Sequence, residues 1–251
     1  MIVLGFDTAT PSTAVALRLA DGRTLQARDD PSPGAHPGHA TRLLEMTHEL
    51  LAAAEIRWSE IDRIAVGTGP GTFTGLRVGI ATARGLAQSR SIELVGVPSL
   101  RALALPALGS ASRPEGVLAV IDARRGEVFA AAYGASEGDR APFELAAARA
   151  LAPGDLGNVL TEAAQQGFAA DPGWIAVGDG AVRFRSELER LALAVPPDSS
   201  PLHLLSAQAI CELALRAHPV ASDQEVLPSY GRRPDAEITL EAAGAGGPSR
   251  G

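Results

Sequence analysis

The stretch covering residues 2–30, IVLGFDTATPSTAVALRLADGRTLQARDD, decides the fold. It contains three short apolar runs, IVLGF, AVALRLA and TLQARDD, and Asp21-Gly22 between the last two is a two-residue hairpin signal. Three antiparallel strands are therefore expected at the start. Residues 31–37 form a Pro/Gly/His loop, after which HATRLLEMTHELLAAAEI sets Leu43, Leu44, Met46, Leu50, Leu51 and Ala54 at the spacing of one helix face. IDRIAVGTG then reads as a buried strand, a helix follows Phe73, ELVGVP reads as a strand and SLRALALPAL as a helix. An antiparallel meander extended by alternating helices and strands implies a mixed sheet, with two parallel strands added through helical crossovers. The order is ribonuclease-H-like.

A second, fainter copy of this pattern starts after the turn-rich GSASRPEG. There VLAVID, a tight ARRG turn and EVFAAAY repeat the opening arrangement of apolar strand, aspartate and second strand. Four apolar or small residues precede Asp7 and four precede Asp122. The echo implies a duplicated α/β fold. Residues 1–108 would form the first subdomain, completed by a helix around residues 202–218, and residues 109–201 a smaller, degenerate second one. Within it PGDLGNVLTEAAQQ and VRFRSELERLAL read as helices and GWIAVGDG as a strand ending in a loop. PLHLLSAQAICELALRA is the helix expected to fold back on the first subdomain, and residues 236–251 are expected to be disordered.

Composition narrows the function. With 29 acidic against 22 basic residues and a net charge of −7, the chain lacks the basic footprint of nucleic-acid binders, so RNA would be engaged only with help from another protein. The single cysteine, Cys211, lies in an apolar helical run as a small core residue, and one thiol cannot form an internal disulfide. MIVLGFDTAT lacks a basic leader and meets Asp7 too early for a membrane span, so a cytoplasmic protein without membrane contact is expected.

Three motifs invite chemistry. GTGPGTFTG, residues 67–75, looks like a phosphate cradle, yet Leu76 stands where a Walker lysine would be and Thr74 breaks the dinucleotide pattern. Its glycines continue as Gly71, Gly75 and Gly79, then Ala83 and Ala87, on one side of a helix. Each interior glycine costs roughly 0.5–1 kcal/mol relative to alanine, so the stripe implies a close backbone approach. The approaching element is either the chain's own sheet or a helix of another subunit, with an anion at the helix start as a third possibility. The second motif is Asp7 with Thr8, Thr10, Ser12 and Thr13, the strand-end aspartate and hydroxyl turn that hold a metal-bound phosphate in actin-like phosphotransferases. Asp122 would be its counterpart and Gly178-Asp179-Gly180 a nucleoside-facing loop; alternatively Asp7 only caps a tight turn. The third is His36, His39 and His48, which offer a metal pair but no third ligand. No Ser/His/Asp set is defensible.

The segments GFDTATPSTAVAL, HATRLLEMTHELL, IAVGTGPGTFTGLRVGIATARGLA, VGVPSLRALA, IDARRGEVFAA, VGDGA and PSYGRRPDAE together resemble the TsaB (YeaZ-like) family over most of residues 1–235. The resemblance implies an actin-like (ASKHA) fold of two subdomains and a non-catalytic scaffold in the formation of N6-threonylcarbamoyladenosine on tRNA. It implies heterodimerisation with the catalytic paralogue TsaD, an ATPase, TsaE, that joins them, tRNA contact only through the complex, and a homodimer when TsaD is absent. It implies no tightly bound cofactor, with any ATP or ADP at the interface of the complex. The helices at residues 38–55 and 72–88 would form the partner bundle, with His39, Leu43, Met46, Leu50, Gly71, Gly75, Gly79 and Ala83 as contacts. Asp7, Thr8 and Asp122 would be remnants of a nucleotide cleft. The paralogue carries metal-binding histidines, in part just after the strand matching ELVGVP; this chain reads PSLRALA there, and only His39 falls near the other histidine pair. A metal centre and a catalytic set are therefore not expected. The alternative from another class is an autonomous actin-like phosphotransferase or hydrolase using Asp7 and Asp122.

Overall fold

A computed structural model describes residues 1–32, 34–135, 141–168, 173–218 and 226–231. The chain opens with β1 (Val3–Asp7), β2 (Thr13–Arg18) and β3 (Thr24–Asp29), followed by α1 (His39–Ala53), β4 (Arg63–Gly67), α2 (Phe73–Arg90), β5 (Glu93–Val97) and α3 (Ser99–Leu108). These strands form one sheet in the order β3-β2-β1-β4-β5, with β1, β2 and β3 antiparallel and β4 and β5 parallel to β1. A second sheet follows from β6 (Gly116–Arg124), β7 (Glu127–Ala135), β8 (Pro142–Leu151) and β9 (Trp174–Val177), ordered β8-β7-β6-β9. Here too the first hairpin is antiparallel and β9 runs parallel to the leading strand. The second sheet therefore repeats the first without its fifth strand. Two mixed sheets flanked by helices, each in the ribonuclease-H-like order, make this an actin-like α/β fold.

β1 is a continuous apolar run because both faces of its sheet are covered. Leu4 and Phe6 point into a core shared with α1 and α2, whereas Val3 points to α7 (Ala207–Arg216) on the other face. Gly5 is required there: a Cβ would lie 2.5 Å from the Cys211 sulfur and 3.1 Å from the Ala207 carbonyl oxygen. β6 alternates in the same way. Val117, Ala119 and Ile121 meet α3, and Leu118 and Val120 meet α4 (Leu156–Gln165). α3 thus lies between the sheets, with Ala102 turned to α7 and Leu100, Leu103 and Ala107 to the second sheet.

Some expected elements differ. The run PFELAAARAL forms the edge strand β8, unforeseen because its alanines, with only Glu144 and Arg149 polar, carry no two-residue alternation. The helix expected over residues 182–193 is broken at Phe184 into α5 (Asp179–Arg183) and α6 (Arg185–Arg190). The one expected over residues 201–217 starts only at Ala207, because the Ser206 hydroxyl caps it, accepting the Ala209 N–H at 3.3 Å, while Pro201–His203 makes a separate 3-10 turn. The hairpin at Asp21-Gly22 exists, but its loop is longer than two residues, closed by Leu19 N–H donating to the Arg23 carbonyl at 2.8 Å. Residues 226–231 form a strap across both sheets: Ser229 N–H donates to the Thr68 carbonyl at 2.8 Å, and Gly231 accepts the Ala150 N–H at 3.0 Å. The stretch 236–251 lies outside the described residues.

Candidate functional site

The duplicated order places Asp7 at the last residue of β1 and Asp122 at the last regular pair of β6, before its bulge. Both carboxylates have partners within the chain. Asp7 is 1% exposed; one oxygen accepts the Ala9 N–H at 2.6 Å and the other the Ser99 hydroxyl at 2.6 Å. Ser99 in turn accepts the Gly69 N–H at 3.1 Å, so Asp7 ties the end of β1 to the loop after β4 and the start of α3. Burial pushes the Asp7 pKa up, against the pull of those two donors. Thr8 is fully buried, with its hydroxyl donating to the Gly75 carbonyl at 2.7 Å. Asp122 is paired with Arg183 at 2.6 Å and Arg124 at 3.4 Å. Asp179, from the loop expected to face a nucleoside, is turned inward and accepts the Asp122 N–H at 3.0 Å; burial raises its pKa. In this conformation the cleft residues named from sequence are joints between elements. No group of three or more His, Cys, Asp or Glu among the described residues is placed to hold a metal ion.

The glycine stripe faces inward, which corrects the expectation that it is a partner contact. A Cβ on Gly71 would lie 2.3 Å from the Ala9 carbonyl oxygen, one on Gly75 1.9 Å from that of Thr8, and one on Gly79 2.3 Å from the Thr8 hydroxyl. The close backbone approach implied by the stripe is real, and its partner is the chain's own β1–β2 turn. Ala83 lies beneath it in the same core, with Leu43, Met46 and Leu50 of α1. His39 is buried as well, its Nδ1 2.8 Å from the Thr13 hydroxyl, and desolvation lowers its pKa. All eight residues expected at an interface are therefore part of the monomer's interior or, for Gly71, pressed against its turn. An amphipathic helix buries the face that periodicity reveals, so the outward face must be sought elsewhere.

That outward face has its own pattern. On α2, Thr74, Ala81 and Gly85 are exposed and Val78 half-buried, at a spacing that lines one side of the helix. Nothing lies within 4 Å of a Cβ built on Gly85, although it sits in the helix interior. On α1, Thr41, Leu44 and His48 occupy the exposed side, with Leu44 41% exposed. At the head of α2, Phe73 is 54% exposed and stacks on Tyr230 of the strap with ring centres 5.2 Å apart. Arg77 lies 3.6 Å over the Phe73 ring and donates to the Tyr230 hydroxyl at 3.2 Å. Sequence reasoning missed Ser99, Gly85 and Tyr230. Only Gly85 left a signal, as a helix-interior glycine out of step with the others.

The family model described as TsaD: tRNA N6-adenosine threonylcarbamoyltransferase matches residues 33–185. The chain is 40% identical over 135 residues to the tRNA threonylcarbamoyladenosine biosynthesis protein TsaB of Escherichia coli, covering 53% of this chain and 55% of that protein. It is 31% identical over 134 residues to the protein of the same name from Bacillus subtilis, with the same coverage. These matches span about half the length of the curated relatives. Among solved structures, YeaZ from Pseudomonas aeruginosa is 30% identical, with a TM-score of 0.73 over 91% of this chain and 99% of that one. With the matching topology, these likenesses fix its kinship: the chain carries a TsaD-like domain and belongs to the TsaB/YeaZ family.

Proposed function

We propose that the chain is a non-catalytic scaffold subunit in the formation of N6-threonylcarbamoyladenosine on tRNA, acting by heterodimerising with a TsaD paralogue and supporting the binding of TsaE. The contact is made by the outward faces of α1 and α2. The observation that carries this reading is Gly85. A glycine inside an exposed helix costs roughly 0.5–1 kcal/mol and requires a reason. Gly71, Gly75 and Gly79 find theirs inside the chain, and Gly85 does not. A second helix packed closely against Thr74, Val78, Ala81 and Gly85, flanked by Leu44 and Phe73, supplies one. Family membership supports the pathway, and the internal pairing of Asp7 and Asp122 supports a structural role for residues that hold phosphate in related folds.

The test is depletion of the chain from its own source, with tRNA nucleosides measured by mass spectrometry. Loss of threonylcarbamoyladenosine that wild-type chain restores and Gly85→Leu does not is the expected result. Unchanged modification on depletion would refute the reading.

A further inference from the structure

The hairpin between β6 and β7 carries one guanidinium, that of Arg125, with no ion pair among the described residues. Arg125 and Gly126 form its two-residue turn with φ of 53° and 82°, and Arg124 before them is also left-handed at 65°. Such turns favour Asn-Gly, because in this region a Cβ crowds the following carbonyl. Arginines are poor choices there for folding alone. The pairing register shifts between Asp122 and Arg124. This bulge brings the Arg124 guanidinium back to within 3.4 Å of the Asp122 carboxylate, where Arg183 also arrives at 2.6 Å.

One carboxylate thus serves two guanidiniums, and Arg125 has no carboxylate partner among the described residues. Asp179 is turned inward, and half-buried Glu127, in register with Arg124, has a contact of its own. In a chain of net charge −7, three arginines gather here around a single exposed-side carboxylate, Asp122. Arg125 is exposed, and the side chains of Arg124 and Arg183 are about half so. None of the exposed large apolar residues, Met1, Leu44, Phe73, Leu204 and Leu227, lies on this hairpin. A protein partner would need an apolar centre, whereas phosphates need only forked donors. The base of the hairpin is anchored beside the loop before α2, since Phe129 and Pro70 both flank Gly231.

We propose that Arg124, Arg125 and Arg183 form a contact site for the phosphodiester backbone of RNA. The inference rests on the tRNA reading above and gives an acidic chain one RNA contact of its own. The full-length chain is titrated against a fluorescein-labelled stem-loop RNA over about 50 to 200 mM salt. The decisive variant is Arg125→Gly, which removes one charge and relieves the left-handed backbone. It is expected to melt at or above the wild-type temperature and yet bind RNA about fivefold or more less tightly, with the salt slope reduced by about one. Arg124→Gln combined with Arg125→Gly should lower affinity on the order of tenfold or more and the slope by about two. Wild-type affinity and slope in both variants would overturn the proposal, as would absence of RNA binding by the wild-type chain at the lowest salt. Displacement of the RNA by an equal charge concentration of inorganic triphosphate would assign the site to free phosphates instead. Preferential binding of a polyglutamate peptide would assign it to an acidic protein. Gly85→Leu should bind RNA like wild type, so failure of the partner reading is scored separately.

Discussion

Replacing Gly75 and Gly85 in turn by alanine applies one chemical change at two positions of the same helix, and opposite outcomes are expected. At Gly75 the added methyl would lie 1.9 Å from the Thr8 carbonyl oxygen, 2.6 Å from the Thr72 hydroxyl and 3.2 Å from His39 Nε2. An ordinary contact is about 3.5 Å, so α2 must retreat from the end of β1 by roughly 1.5 Å. Overpacking of this kind costs about 1–3 kcal/mol. Loosening the buried bond from the Thr8 hydroxyl to the Gly75 carbonyl adds about 1–2 kcal/mol. Helix propensity returns about 0.5–1 kcal/mol. The net loss is about 1–4 kcal/mol, or a melting temperature lower by about 3–15 °C in a chain of this size. At Gly85 the methyl meets open space, only the propensity gain remains, and the melting temperature should rise by about 1–4 °C. Circular dichroism melts of the two variants beside wild type suffice. A neutral or stabilising Gly75→Ala, or a destabilising Gly85→Ala, would refute the assignment of inner and outer faces.

The remaining predictions concern buried groups. Because burial raises the folded-state pKa of Asp7, its effect is most favourable below the unfolded value near 3.8 and is lost as pH rises through the folded one. The stability difference between Asp7→Asn and wild type should therefore shift in favour of Asn from pH 4 to pH 7; a shift the other way in denaturant titrations would contradict the burial argument. His39 has the opposite sign: its pKa is lowered, so its contribution is complete above about 6.5 and lost as pH falls. His39→Gln should flatten the stability profile between about pH 6.5 and 5, and an unchanged slope would count against a buried neutral imidazole. The Cys211 thiol is buried, with its pKa pushed up to about 12. Its reaction with a disulfide reagent should track global unfolding, and rapid labelling of the native chain would show that α7 opens separately. Tyr230→Ala removes the stack on Phe73 and the bond from Arg77, for an expected loss of about 1–2 kcal/mol.

The fold was legible because its signals are local and redundant. Apolar runs ending at Asp7 and at Asp122, hairpin turns at Asp21-Gly22 and Arg125-Gly126 and helices at regular intervals admit few topologies. β8 escaped because LAAARA has neither period, and its strand character comes from pairing with β7. The site was harder to read for a physical reason. The glycine stripe announces a close approach but carries no sign of which side the approaching backbone belongs to; only the position of Thr8 and Ala9 over Gly71 and Gly75 decides it. Asp7 shows the same limit. A strand-end aspartate followed by threonines can hold a phosphate, and what closes it is Ser99, more than ninety residues away in sequence. The arginine pair stood in view in ARRG, yet its turn geometry and the convergence of Arg183 belong to tertiary structure.

In the proposed scaffold role, the outward face of α2 docks a partner while the inward face holds the chain together. The deciding experiment is calorimetric titration of wild type and Gly85→Leu into a TsaD paralogue from the same source, with melting curves of both chains measured alongside. Tight binding by wild type, loss of binding by Gly85→Leu, and melting temperatures of the two that differ little are expected. Undiminished binding by Gly85→Leu would contradict that role.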